Sequence, residues 1–95
     1  MATIDITKSH ALPKDDAKKK AEELARNMQE KFGIVWHWEA DTIRFETPSG
    51  AAKGTKGEVA VTDSTVRVAI DLPFMLKMMK GTIESKVNEK LTQML

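Results

Sequence analysis

The stretch that decides the fold runs Glu58-Val59-Ala60-Val61, then Thr62-Asp63-Ser64-Thr65, then Val66-Arg67-Val68-Ala69-Ile70-Asp71-Leu72-Pro73-Phe74-Met75-Leu76-Lys77-Met78-Met79-Lys80. Its first part alternates. Val59, Val61, Val66, Val68, Ile70 and Leu72 fall on one side, and Glu58, Arg67 and Asp71 on the other. That pattern, broken at Thr62–Thr65, predicts a hairpin with one buried face. After Leu72-Pro73 the period changes. At about 100° per residue, Leu76, Met79, Ile83, Val87, Leu91 and Met94 share one helical stripe. Phe74, Met75 and Met78 lie outside that stripe, with Phe74 and Met78 as i,i+4 neighbours about 40° apart on the wheel. This surplus either meets an apolar surface or another chain, or is buried where strand turns into helix. Lys77 and Lys80 flank it, which suits an apolar surface carrying anionic groups. Gly81 sits inside the helical pattern, where glycine costs about 1 kcal/mol relative to alanine; a kink or a close backbone approach is expected there.

Working upstream, Ile34 to Thr47 reads as a second hairpin turning at Ala40-Asp41. That turn sets Trp38 opposite Ile43 and Trp36 opposite Phe45. Ile34, Trp36, Trp38, Ile43 and Phe45 then share the inner face, while Val35, His37, Glu39, Arg44 and Glu46 share the outer one. Pro48 to Gly57 reads as a connector. Pro13 opens a helix with Asp15 and Asp16 in its first turn, running to Phe32 and stopped by Gly33. Its apolar stripe is Ala17, Ala21, Leu24, Ala25, Met28 and Phe32, thin enough to lie close to whatever it covers. Thr3 to His10 alternates as a first strand, with Ile4 and Ile6 inward. The order is β-α-β-β-β-β-α, an α+β class with an antiparallel sheet and both helices on one face. The arrangement is like a shortened helix-grip fold, by analogy of fold alone. Strand order is left open.

Length and composition narrow the function classes. Ninety-five residues make one domain over 1–95, enough for one two-layer core. Fifteen Lys and Arg against fourteen Asp and Glu leave a net charge of +1, so global charge gives no case for nucleic acid or an anionic membrane. With no cysteine there is no disulfide, thiolate metal site or Cys nucleophile. The N-terminus has neither a basic n-region nor an apolar h-region, and no apolar run reaches membrane-spanning length, so a soluble cytoplasmic protein is expected.

The candidate chemistry is sparse. His10 and His37 lie on different strands and make no ligand set, so no metal is expected. Ser9 and His10 are adjacent in a strand and point to opposite faces, so they form no nucleophile–base pair. Lys18-Lys19-Lys20 is bracketed by Asp15, Asp16, Glu22 and Glu23 at i,i+4, which reads as a salt-bridged solvent face. Lys53-Gly54-Thr55-Lys56-Gly57 lacks phosphate-loop spacing. Trp36 and Trp38 read as core, or as the lining of a small apolar cavity between the sheet and the C-terminal helix. No catalytic residue and no cofactor are expected.

Residues across the chain carry a resemblance: Thr3-Ile4-Asp5-Ile6 with Ser9-His10, Trp38 with Asp41-Thr42-Ile43 and Phe45, Gly57-Glu58-Val59-Ala60-Val61, Val66-Arg67-Val68, and Lys80-Gly81-Thr82-Ile83-Glu84. On these the chain resembles a small bacterial family of polyhydroxyalkanoic acid system proteins, also described as polyhydroxyalkanoate granule-associated or granule-regulating. One departure is Ala40, where a turn residue such as Gly is expected. The resemblance implies a link to storage-polyester synthesis and carries over no catalytic residue. The leading expectation is a non-enzymatic accessory protein that binds the granule or a granule-bound protein. Its contact would comprise Phe74, Met75, Leu76, Met78 and Met79, with Lys77 and Lys80 at the rim. Alternatives are an acyl or hydroxyacyl ligand binder using Trp36 and Trp38, and a homo-oligomer, such as a homodimer, using the C-terminal stripe as a two-helix seam.

Overall fold

Each run of period two becomes a strand, and the strands join one antiparallel sheet. In the computed structural model, which describes residues 3–48 and 53–95, β1 (Ile4–Ser9) is followed by α1 (Lys14–Phe32), β2 (Val35–Glu39), β3 (Thr42–Glu46), β4 (Lys56–Val61) and β5 (Thr65–Asp71). A 3-10 helix (Phe74–Met79) then leads into α2 (Lys80–Met94). The expected element order therefore holds. The middle of the expected Pro48–Gly57 connector lies outside the described residues. Its end is corrected, because Lys56 and Gly57 already belong to β4.

The sheet order is β1-β5-β4-β3-β2. Trp36 faces Phe45 and Trp38 faces Ile43, as the Ala40-Asp41 turn requires. Ala40 takes φ 56°, a left-handed conformation in which its Cβ is crowded. The first and second strands sit at opposite edges, about 19 Å apart at ordinary strand spacing. Between them in the chain comes α1, whose first turns reach Asp41 in the β2–β3 turn through Lys14 and Lys18 and whose Glu22 and Gln29 reach Trp38 and Trp36 on β2. Gly33 ends it at φ 68° and donates its N–H to Gln29 O at 2.9 Å.

A single apolar cluster joins the inner sheet face to both helices: Ala17, Ala21, Leu24, Ala25 and Met28 from α1, and Val87 and Leu91 from α2. The three alanines let α1 press against β3 and β4. Phe32 departs from expectation. It is 49% exposed, because α1 ends over the edge strand and no strand beyond β2 covers its last turn. In β4, Gly57 pairs with Phe45 and Ile70. A Cβ there would come within 2.5 Å of both the Phe45 ring and the Ala69 carbonyl oxygen, so the ring's position requires glycine. His10 fastens β1 to the β4–β5 turn. Its Nε2 donates to Thr62 O at 2.9 Å and its Nδ1 accepts from Leu12 N–H at 3.2 Å, which places the ring proton on Nε2.

Candidate functional site

The apolar surplus of the C-terminal third lies on the outside of the molecule. Leu72 is buried, Pro73 holds φ −65°, and the N–H of Leu76 donates to Pro73 O at 2.9 Å, an i→i+3 bond that begins the 3-10 helix. With about three residues per turn, side chains at i and i+3 align. Phe74 therefore aligns with Lys77, Met75 with Met78, and Leu76 with Met79. The Leu76–Met79 row faces the fold, and Leu76 packs against the core.

The expected Phe74–Met78 pairing is corrected by this geometry. Four residues apart in a 3-10 helix they diverge by about 120° rather than 40°. Met75 and Phe74 are each 85% exposed, Met78 94% and Met79 50%. Met79, expected in the core stripe, is thus only half covered, while Ile83, Val87, Leu91 and Met94 keep the inward face of α2. Burial at the strand-to-helix corner does not occur. Gly81 makes no close approach, since a Cβ there would meet open space; the change of helix type falls just before it, between Met79 and Lys80.

Lys77 and Lys80 are exposed and, among the described residues, take part in no ion pair. From Leu72 to Ile83 the chain carries these two cations and no carboxylate. The corner therefore presents four large apolar side chains and two unpaired positive charges side by side.

The tryptophans lie on the inner face as expected and pack against the core, but not beside the C-terminal helix. They are half-buried on edge strand β2 beneath α1, whereas α2 packs on β1 at the opposite edge. Trp36 Nε1–H donates to Gln29 Oε1 at 2.9 Å, and Trp38 Nε1–H donates to Glu22 Oε1 at 3.1 Å. Lys18 Nζ stands 4.8 Å from the Trp38 ring centroid, a cation–π distance. A cavity lined by both rings between the sheet and α2 is accordingly ruled out by position. Trp36 does border an open trough, but this trough opens on the outer sheet face among His37, Arg44, Glu46, Lys56, Glu58 and Asp71. Sequence reading missed Glu22 and Gln29 as partners of the rings; their seven-residue spacing, two helical turns on one face, was the available signal.

Several charges of the outer face are paired with one another. Arg44 lies 2.9 Å from Glu39 and 3.5 Å from Glu58, and His37 Nε2 is 3.2 Å from Glu39. Arg67 meets Asp5 through two hydrogen bonds, at 2.6 and 2.9 Å. These bonds hold the Asp5 carboxyl below the usual carboxylate range and raise Arg67. Lys14 and Lys18 both reach Asp41 in the β2–β3 turn, at 2.5 and 3.2 Å, and hold its carboxyl below the usual range, while Asp41 raises Lys14. The expected i,i+4 pairing of the lysine run is corrected: among the described residues Lys18, Lys19 and Lys20 form no ion pair with Asp15, Asp16, Glu22 or Glu23, because Lys18 turns to Asp41 and Trp38 and Glu22 pairs with Arg26. Among the described residues no three His, Asp or Glu side chains converge, and no helix is long and apolar enough to cross a membrane.

Neither the curated proteins nor the solved structures contain a match to this chain. A family model described as "Putative polyhydroxyalkanoic acid system protein" matches residues 4–95, and the chain belongs to that family.

Proposed function

We propose that this protein is a non-enzymatic accessory protein of polyhydroxyalkanoate storage, acting in the cytoplasm at the granule. Phe74, Met75 and Met78, with the uncovered half of Met79, bind the granule surface or a protein seated on it, with Lys77 and Lys80 at the rim, while Leu76 anchors the turn to the core. The observation that carries this reading is the exposure of Phe74, Met75 and Met78 on one short turn. Single exposed apolar residues are ordinary, but four adjacent large ones mark a contact surface. Burying a side chain of this size stabilises by about 1.5–3 kcal/mol, so the patch can offset much of the cost of association. Family membership supplies the link to polyhydroxyalkanoate systems.

Co-sedimentation with native granules and with protein-stripped polymer particles tests the proposal. Binding to both supports direct adsorption, and binding to native granules alone supports a protein partner. Replacing Phe74 and Met78 with Ser is expected to abolish either while leaving the fold intact. Unchanged binding of that variant refutes the assignment of the patch. Sedimentation velocity at high concentration separates these outcomes from self-association through the same residues.

A further inference from the structure

We infer that the contact made by this corner is with an anionic phospholipid layer, the methionines and Phe74 entering the acyl region while Lys77 and Lys80 meet headgroup phosphates. This rests on the reading of the patch as the contact surface. The alignment of the 3-10 helix carries it. Because residues three apart eclipse, Phe74, Lys77 and Lys80 form one row and Met75 and Met78 the next, with the Leu76–Met79 row holding the segment to the fold. The cations are thus set beside the apolar edge, where their methylene stems lie along it and their ammonium groups stay at its border. Charge complementarity selects the partner. From Leu72 to Ile83 both charges are positive, and neither lysine has a carboxylate partner among the described residues. An uncharged polyester surface matches the apolar edge and offers the two ammonium groups ester carbonyls but no negative charge. A phospholipid layer with anionic headgroups satisfies both. Unbranched, polarizable methionine side chains adapt to such a disordered medium without a shaped pocket.

The test uses the full chain with four kinds of particle: phosphatidylcholine vesicles, vesicles with roughly 30% phosphatidylglycerol to supply negative surface charge, lipid-free polymer particles and native granules. Co-sedimentation should show binding to the anionic vesicles about 30-fold tighter than to the neutral ones, the effect expected of two lysines near a charged surface. Added salt should erode that difference. The double variant Lys77→Gln, Lys80→Gln should remove most of it, and the variant Phe74→Ser, Met78→Ser should abolish vesicle binding. Thermal melting of each variant checks that the fold persists, and these exposed positions should leave it unchanged. Equal binding to neutral and anionic vesicles overturns the inference, as does a lysine variant that binds like the parent. Binding to polymer particles or native granules but not to anionic vesicles overturns the lipid assignment and leaves the granule reading standing. Binding to none of them overturns both.

Discussion

Helix α1 and the Phe74–Met79 turn are built from similar materials and put to opposite uses. Both combine apolar residues with lysines. In α1 the apolar residues, three of them alanines, recur at helical spacing, so the whole stripe from Ala17 to Met28 is buried. Some of its charged residues are also engaged, Lys14 and Lys18 with Asp41 and Glu22 with Trp38 and Arg26. In the 3-10 turn the apolar residues are large and consecutive. Only one of the three rows that such a helix offers can face the core; the other rows are left in water with two unpaired lysines. Apolar content alone therefore does not predict burial. The spacing, and the type of helix it meets, decides which side chains are covered.

The sharpest way to break this contrast is to remove apolar atoms from each region. Leu24→Ala, from a buried position in α1, should destabilise by about 3 kcal/mol. Met78→Ala should cost less than about 0.5 kcal/mol, as read from urea midpoints. Similar losses at the two positions would mean that the turn is covered in solution. Next in size is Gly57→Ala, expected to destabilise by about 2 kcal/mol because the new Cβ meets backbone as well as the Phe45 ring. The same substitution at Gly81 should have the opposite sign. That position is helical, has no positive φ and faces open space, so alanine should add about 0.5–1 kcal/mol. A loss of stability there would show that glycine is needed for the passage from 3-10 to α geometry.

Ala40→Gly probes the turn that α1 clamps. Relief of the left-handed strain, less the entropy of glycine, should leave a gain of about 0.5 kcal/mol. The smallest effect is expected of the Asp41 clamp itself, which is exposed and screened. Because the folded-state carboxyl lies below its ordinary value of 3.8, its contribution is complete above that value. It is lost as pH falls through the lowered folded-state value. Urea midpoints followed into acid should therefore drop slightly less for Asp41→Asn than for the parent, and only at pH values near or below 4. An identical acid profile would assign the clamp no role in stability.

Much of the scaffold was readable residue by residue. Trp36–Phe45 and Trp38–Ile43 pairing followed from one turn position, and the separation of Arg44 and Glu58 from Ile43 and Val59 followed from alternation. The candidate surface was readable only in part. The chain marks Phe74, Met75 and Met78 as surplus to one stripe, but over six residues the periods 3.0 and 3.6 differ too little to tell which helix forms. The angular relation of Phe74 to Met78 was misjudged for that reason. The inner face of the tryptophans was legible, but the helix that covers them was not, because a strand's alternation says nothing about which edge of the sheet it will occupy.

Strand and helix identity, both hairpin registers and the division into inner and outer faces were settled locally. Side-chain direction repeats with the backbone's own period, and that period is written in the order of apolar and polar residues. The position of β2 and β1 at opposite edges, the cover of α1 over the tryptophans and the exposure of the 3-10 corner were settled only when the chain closed on itself. Each depends on groups far apart in sequence, such as Trp38 with Glu22 or Ile4 with Ile70. Their meeting is governed by competition for one small core rather than by any local pattern.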